Sequence, residues 1–182
     1  MKKFKIYASV LALSMAASYA YAATPATPGV GQGQVQFNGK LIDETCEIES
    51  GSENIQVTLP TLSTKTLAVE GATAGSKSFD IKVIKCPAAI TKVAAHFEAI
   101  GSSGGNSATG NLVNSATTGA AGLVEVRLYN SNENQLILGN SGDPVAVKDQ
   151  KATLRYYGGY YATGVTTPGL VTATALYTLS YP

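Results

Sequence analysis

Near its N-terminus the sequence reads Gly33-Gln34-Val35-Gln36-Phe37-Asn38-Gly39-Lys40-Leu41-Ile42-Asp43. Val35, Phe37, Gly39 and Leu41 fall on one parity, and polar residues fall on the other. A period of two is typical of a strand with one buried face. The preceding residues 23–31 are rich in Thr, Pro and Gly, so no earlier element can pair with this strand. It therefore needs a sheet edge elsewhere, either in its own domain or in another copy of the chain.

The first 22 residues have the pattern of a secretory signal peptide. Three lysines precede an apolar run over 6–17. The run is followed by residues 18–22, in which Ala20 and Ala22 form the small-residue pattern of a cleavage site. We predict cleavage after Ala22, with cleavage after Ala20 as the alternative. A membrane-spanning helix needs about 20 apolar residues, more than this run provides. We therefore expect an exported protein that is not inserted in a membrane when mature.

The rest of the chain is long enough for one domain. We predict an N-terminal extension over 23–45 and a single domain over 46–182. The chain has 13 basic and 12 acidic side chains, and removal of the three signal-peptide lysines leaves a net charge near −2. This balance offers no basic face for nucleic acid or for an anionic membrane.

Cys46 and Cys86 are the two cysteines of a chain predicted to enter an oxidising compartment. One intrachain disulfide is the expected outcome. A metal site would lack further ligands, and a reactive thiol would lack a neighbouring basic group. Closing the loop between the two cysteines would contribute on the order of 4 kcal/mol to the stability of the fold in the chain-entropy account.

Alternating apolar residues predict a series of short strands along the domain. The predicted strands cover 55–59, 79–83, 93–99, 111–116, 124–128, 136–138, 145–147, 152–162 and 171–181. We interpret 62–76 as an irregular crossing with a helical turn near 67–70, and 101–110 as a Ser/Gly connection. Many short strands with turn signals between them predict an antiparallel Greek-key β-sandwich.

The C-terminal segment shows the longest alternation. One parity carries Val171, Ala173, Ala175, Tyr177, Leu179 and Tyr181. We predict a strand of about 11 residues, longer than the usual 5 or 6. At an open sheet edge it would expose backbone groups and an apolar seam, which natural proteins usually cover. The N-terminal strand of a second copy is one possible cover, and such a head-to-tail contact generates a filament.

No group of residues predicts catalysis or metal binding. His96 is the single histidine, and we place it on the solvent-facing parity of its strand. Glu98 and Glu125 are interpreted as surface glutamates. The tyrosine cluster is interpreted as core and edge packing, although its composition is similar to that of a carbohydrate platform. It consists of Tyr156, Tyr157, Tyr160 and Tyr161. We predict no enzyme and no cofactor.

Several motifs, taken in order, resemble those of pilins of the chaperone-usher pathway, most of all type 1 fimbrial major subunits. The motifs are Gly33 to Gly39 leading to Cys46, Phe79-Asp80-Ile81 leading to Cys86, Tyr160-Tyr161-Ala162-Thr163-Gly164, and Thr167-Pro168-Gly169. Gly169 is residue 14 from the end and Tyr181 is penultimate, as in the family's chaperone-recognition pattern.

The resemblance implies an incomplete immunoglobulin-like Greek-key β-sandwich that lacks its last strand and is completed by donor-strand complementation. It implies a donor strand with Val35, Phe37, Gly39 and Leu41 as its binding residues. It implies an acceptor groove and chaperone-recognition site formed by Gly169, Ala173, Ala175, Tyr177, Leu179 and Tyr181.

The implied partners are other copies of the chain or related pilins, a periplasmic chaperone and an outer-membrane usher. The implied function is that of a structural subunit of a fimbria, exported through the periplasm to the cell surface and supporting cell adhesion. The alternative is a secreted monomeric β-sandwich that binds carbohydrate or protein, with its N-terminal strand folded back in cis.

Overall fold

The computed structural model describes residues 30–42, 45–101 and 104–182. The predicted signal peptide and Asp43 lie outside the described residues. The chain divides into a first unit that ends at Leu41 and a second unit that begins at Ile42. The described part of the first unit has a turn at Val30 and Gly31 and no strand or helix. The segment predicted as a strand from Gly33 onward pairs with no strand among the described residues, and its pairing with another copy of the chain stays a prediction.

The second unit is built almost entirely of short β-strands. They are β1 (Glu47–Ile48), β2 (Thr73–Ile84), β3 (Lys92–Ala99), β4 (Gly105–Asn106), β5 (Asn111–Val113), β6 (Val124–Tyr129), β7 (Gln135–Leu136), β8 (Val145–Ala146), β9 (Ala152–Ala162) and β10 (Ala175–Ser180). One 3₁₀ helix spans Thr64–Leu67, where the Ser63 hydroxyl caps the first turn by accepting a hydrogen bond from the Lys65 N–H. Among the described residues there is no α-helix.

The strands form two antiparallel sheets. The larger sheet has the order β1-β2-β9-β6-β5-β4, with β7 paired to β6, and the smaller sheet has the order β10-β3-β8. Four strand pairs join strands that are far apart in sequence, namely β2-β9, β6-β9, β3-β10 and β3-β8, as in a Greek key. This confirms the predicted all-β sandwich.

The core lies between the two sheets. Ile81 of β2 and Leu154 of β9 are fully buried, as is Val93 of β3 from the smaller sheet. Phe97 of β3 meets Tyr156 of β9 edge to face, with ring centroids 5.0 Å apart. The Tyr156 hydroxyl accepts a hydrogen bond from the Ala95 N–H, so the ring packs in the core while its polar atom is satisfied.

Most of the predicted strands are confirmed, with changed ends. The segment 93–99 becomes β3, 124–128 becomes β6 and 152–162 is reproduced as β9. The segment 79–83 is only the second half of β2, which begins inside the stretch predicted to be irregular. The helical turn lies at 64–67 rather than 67–70.

Two interpretations are wrong in more than their boundaries. The segment 101–110 is not only a connection, because β4 lies inside it and pairs with β5, which follows it. The segment 55–59 carries no strand, although Ile55 packs against the core. From Glu53 to Leu62 the backbone forms no hydrogen bond with any other described backbone group. The alternation was correct for Ile55 but not for Val57, which is 38% exposed, and a strand also requires a paired neighbour.

Candidate functional site

The strand β10 forms one edge of the smaller sheet. It pairs along one side with β3, in a register that runs from Ala175 opposite Ala99 to Ser180 opposite Ala94. Within the described part of the chain, no strand pairs with its other side. An open edge of this kind presents backbone N–H and C=O groups to an incoming strand.

The side chains of this edge alternate as predicted. The row that packs against the core consists of Ala173, Ala175, Tyr177, Leu179 and Tyr181. We call this row, together with the open side of β10, the C-terminal edge. Each member of the row is only half-buried, whereas Leu176 on the other parity is 55% exposed. The core is therefore covered incompletely along the C-terminal edge.

The opposite wall of this opening is the segment after Cys46. The Tyr177 hydroxyl donates a hydrogen bond of 2.6 Å to the Ser52 carbonyl, and the Tyr181 hydroxyl accepts one of 3.0 Å from the Cys46 N–H. Burial, together with the charge of Glu53, raises the pKa of Tyr177, which keeps the phenol protonated as a donor. Two tyrosines of the C-terminal edge thus hold the two sides of the opening at a fixed spacing.

The predicted strand of 171–181 is shorter in the structure, because its first residues form hydrogen bonds with the segment after β5 instead of with β3. The Thr172 N–H donates to the Asn114 side chain, and the Thr172 carbonyl accepts from the Ser115 N–H. The segment before Ala175 is therefore fastened beside the end of β5 rather than to β3.

Gly169 lies at a close approach between two backbone segments. The Leu170 N–H donates to the Gly119 carbonyl, and the Leu170 carbonyl accepts from the Ala121 N–H. A Cβ added at Gly169 would lie 2.6 Å from the Gly119 oxygen and 2.5 Å from the Ala120 carbonyl carbon. Glycine is therefore required here by packing within the subunit, whatever other role it has.

The disulfide between Cys46 and Cys86 is present, with the Cα atoms 4.1 Å apart. Both cysteines are buried in the core cluster. The bond joins the segment before β1 to the turn after β2, where Lys85 has a positive φ and the strand has ended. It therefore anchors the beginning of the segment that forms the opposite wall.

The predicted donor residues lie in the exposed first unit. Val35, Phe37 and Leu41 are 76%, 90% and 99% exposed, which is unusual for large apolar side chains. A Cβ at Gly39 would meet no other heavy atom within 4 Å. Nothing described within the subunit therefore requires glycine at this position.

Glu125 is not the surface glutamate that the sequence predicts. It is only 6% exposed rather than a surface glutamate. Its carboxylate accepts hydrogen bonds from Asn106 Nδ2 at 2.6 Å, Thr109 Oγ1 at 2.6 Å and Asn111 Nδ2 at 3.0 Å. The Asn111 side-chain oxygen in turn accepts from Arg127 Nε. This network fastens the segment around β4 to β6.

The other candidate side chains form no reactive group. His96 is partly exposed, with Nε2 3.4 Å from Glu98 Oε1 and Nδ1 3.4 Å from the Ser141 hydroxyl. The tyrosines are distributed rather than grouped as a platform, since Tyr156 is in the core and Tyr160 donates to the Pro60 carbonyl. No metal-binding group of His, Cys, Asp and Glu occurs among the residues that the structure describes. No helix in this part of the chain is long and apolar enough to cross a membrane.

Comparison with known proteins identifies the class to which this sandwich with an open edge belongs. Residues 35–182 match the family described as fimbrial protein. The chain is 37% identical to the F17 fimbrial protein of Escherichia coli, over 100% of this chain and 99% of that protein. It is 39% identical to the major fimbrial subunit SMF-1 of Stenotrophomonas maltophilia strain K279a, over 88% of this chain and 98% of that protein. The chain therefore belongs to the fimbrial protein family and is a structural subunit of a surface fimbria.

Solved structures support the fold. A chain from a chaperone-usher pilus aligns with a TM-score of 0.60 at 24% identity, covering 86% of this chain and 99% of that one. The P pilus rod subunit PapA aligns with a TM-score of 0.59 at 20% identity, covering 75% and 99%. Both similarities confirm the predicted pilin fold. The monomeric binding module, the alternative raised by the sequence, is not supported.

Proposed function

We propose that this subunit polymerises by donor-strand complementation. In the proposal, the segment of one copy that contains Val35, Phe37, Gly39 and Leu41 pairs with the C-terminal edge of the next copy. The observation that carries it is the open side of β10 above a half-buried apolar row. The exposed first unit, residues 30–41 as described, offers an apolar alternation of matching period.

The energetics favour such pairing. Burial of Val35, Phe37 and Leu41 contributes roughly 1.5 to 3 kcal/mol for each side chain, and about eight backbone hydrogen bonds add roughly 0.5 to 1.5 kcal/mol each. The gross gain is comparable with the whole stability of a typical domain, about 5 to 15 kcal/mol. Because each copy donates at one end and accepts at the other, the assembly is an open filament.

Within the donor segment, Gly39 is assigned to the narrowest part of the opening. Phe37 and Leu41 fill the spaces on either side, and Val35 extends the contact. No heavy atom of the described residues lies within 4 Å of a Cβ added at Gly39, which supports a requirement for glycine that comes from a neighbouring copy. The proposed extension runs over residues 23–45 and the pilin domain over 46–182.

The wider pathway belongs to the same proposal. Residues 1–22 direct export and are removed, and a periplasmic chaperone occupies the C-terminal edge before the outer-membrane usher exchanges it for the next subunit. Gly169 and Tyr181 are assigned to chaperone recognition in addition to their contacts within the subunit. Supporting this, several relatives are named as fimbrial subunits, and one fold neighbour comes from a chaperone-usher pilus. The assembled fimbria supports cell adhesion, and the subunit has no enzymatic role.

The decisive experiment compares Gly39→Leu with Lys40→Leu. Both variants add the same bulky side chain to an exposed position, but only residue 39 lies on the apolar parity. We expect Gly39→Leu to accumulate in the periplasm without fibres in electron micrographs of sheared surface material, while Lys40→Leu forms fibres. Normal fibres from Gly39→Leu would overturn the assignment of Gly39, and loss of fibres in both variants would show that parity is not what matters.

A further inference from the structure

The exposed first unit carries a reactive dipeptide. Asn38 is followed by Gly39, and this is the one Asn-Gly pair in the 182-residue sequence. Both residues are exposed and lie outside any strand or helix. A glycine that follows asparagine leaves the next peptide nitrogen sterically open, and Gly39 has no heavy atom near the position of a Cβ. The side-chain amide and the Gly39 nitrogen are therefore free to approach each other.

We propose that Asn38 is a site of spontaneous deamidation in the unassembled subunit, and that insertion of this segment into a neighbouring subunit suppresses the reaction. The suppression of deamidation by insertion rests on the proposed function. The modification would set a limit on the time for which a waiting subunit remains competent for assembly.

The reaction needs only the chain and water. The Gly39 nitrogen attacks Cγ of Asn38, a C–N bond forms, and the side-chain nitrogen leaves as ammonia, taking up the proton that the Gly39 nitrogen loses. Water then opens the five-membered succinimide at either carbonyl and gives aspartate or isoaspartate. Gln36 Nε2 donates a hydrogen bond of 3.2 Å to Asn38 Oδ1, which polarises the carbonyl that is attacked.

The four Asn-Ser pairs of the second unit are held in place. Asn106 Nδ2 is bound to Glu125, and Asn114 Nδ2 to two backbone carbonyls. Asn130 is buried and its side-chain oxygen accepts from the Asp143 N–H. Asn140 is exposed like Asn38, but its N–H donates to the Ile137 carbonyl and its own carbonyl accepts from the Phe97 N–H. Asn140 is therefore the matched internal control, exposed and followed by a small residue but fixed in its backbone.

The products would damage the donor segment. Isoaspartate adds one methylene to the main chain between Phe37 and Gly39. Because strand side chains alternate with a period of two, a shift in register on one side moves the apolar residues away from their pockets. Phe37 and Leu41 could then no longer fill the opening together. Conversely, a segment paired in a sheet has its peptide planes fixed by hydrogen bonds, so the Gly39 nitrogen cannot turn towards the amide.

The first experiment measures deamidation site by site. Mature subunit taken from the periplasm before assembly, and fibres sheared from the surface, are incubated in the same mildly alkaline buffer. Peptide mapping by mass spectrometry, with enzymatic methylation to count isoaspartate, follows Asn38 and Asn140. We expect Asn38 to react several-fold faster than Asn140 in the unassembled subunit and several-fold more slowly in fibres. Equal rates for the two residues, or for Asn38 in the two samples, would overturn the proposal.

A second experiment links the chemistry to assembly. Asn38→Gln keeps an amide but closes a six-membered ring only slowly, so this variant should still enter fibres after an incubation that inactivates the wild-type subunit. Asn140→Gln should decay like wild type. If Asn38→Gln loses competence on the wild-type time course, deamidation does not limit assembly. If fresh wild-type subunit forms no fibres at all, the proposed polymerisation fails. The ratio of the deamidation rates of Asn38 and Asn140 in the unassembled subunit then decides alone whether Asn38 is a deamidation site.

Discussion

At the scale of single residues, Glu125 shows how one buried carboxylate can hold a loop. Its three donors come from Asn106, Thr109 and Asn111, so side-chain hydrogen bonds fasten the segment around β4 to β6 in addition to the pairing of β5 with β6. Buried carboxylates are tolerated when their lone pairs are satisfied in this way. The network therefore adds to the hydrophobic anchor that the buried Leu112 provides.

Replacement of this carboxylate tests the role directly. Glu125→Gln places an amide donor among side-chain donors, so at least one hydrogen bond is lost and one polar group stays unsatisfied. We expect the free energy of unfolding to fall by about 1 to 3 kcal/mol, measured as a lower urea midpoint. The control is Glu98→Gln, an exposed glutamate of β3 that should change the midpoint little. Equal effects of the two variants would contradict a special role for Glu125.

The sequence could not have revealed this network. Glu125 lies on the polar parity of a strand, and that position is usually solvent-facing. Its burial depends on donors 14 to 19 residues earlier in the chain, in a stretch whose Ser and Gly content indicates only a connection. A single sequence carries no signal for such distant polar partners. The apolar row of the C-terminal edge, in contrast, was predictable because it depends on local alternation alone.

At the scale of elements, alternation predicted which face is buried better than where a strand begins or ends. The parity of 171–181 is correct throughout, yet only Ala175–Ser180 pairs with β3. The segments 33–42 and 55–59 have strand-like patterns without a paired neighbour. Pairing depends on what lies opposite, and the two-residue strands β1 and β4 are too short to produce any pattern.

The pair of β2 and β9 provides a test of cross-strand electrostatics. Arg155 donates two hydrogen bonds to Asp80, from Nε at 2.8 Å and Nη2 at 2.9 Å. These bonds hold the pKa of the Asp80 carboxyl below its usual value of 3.8. A lowered folded-state pKa stabilises the fold above the unfolded pKa, and this contribution is lost as the pH falls through the folded pKa.

Asp80→Asn should therefore destabilise the subunit at neutral pH but not in strong acid. We expect a difference in unfolding free energy of up to about 1 kcal/mol at neutral pH, since solvent reaches the pair through the 56% exposed Arg155 side chain. The difference should shrink as the pH falls below 3.8. Urea titrations at a series of pH values measure it. Glu49→Gln, which removes a longer contact of 3.9 Å to Lys82, should have a smaller effect. A constant difference down to strong acid would contradict the linkage.

At the scale of the whole molecule, two incomplete parts stand out. The second unit has a core that is covered incompletely along the C-terminal edge, and the first unit exposes apolar side chains that an isolated protein would normally bury. In the proposed assembly, the first unit of one copy covers the C-terminal edge of the next copy. The disulfide adds to the stability of the second unit by constraining its unfolded chain, but it does not close the edge.

This complementarity predicts that a free peptide stabilises a truncated subunit. A variant lacking residues 23–43 retains the C-terminal edge but has no donor segment, and a synthetic peptide of residues 33–43 should bind there and raise its melting temperature. Any ligand that binds only the folded state stabilises it, by about 2.7 kcal/mol when its concentration is a hundredfold above the dissociation constant. The same peptide with Gly39→Leu is the matched control and should give little or no shift, because its added side chain clashes in the opening. Equal shifts from both peptides would mean that apolar content alone drives binding, and no shift from either would mean that the C-terminal edge does not accept this strand.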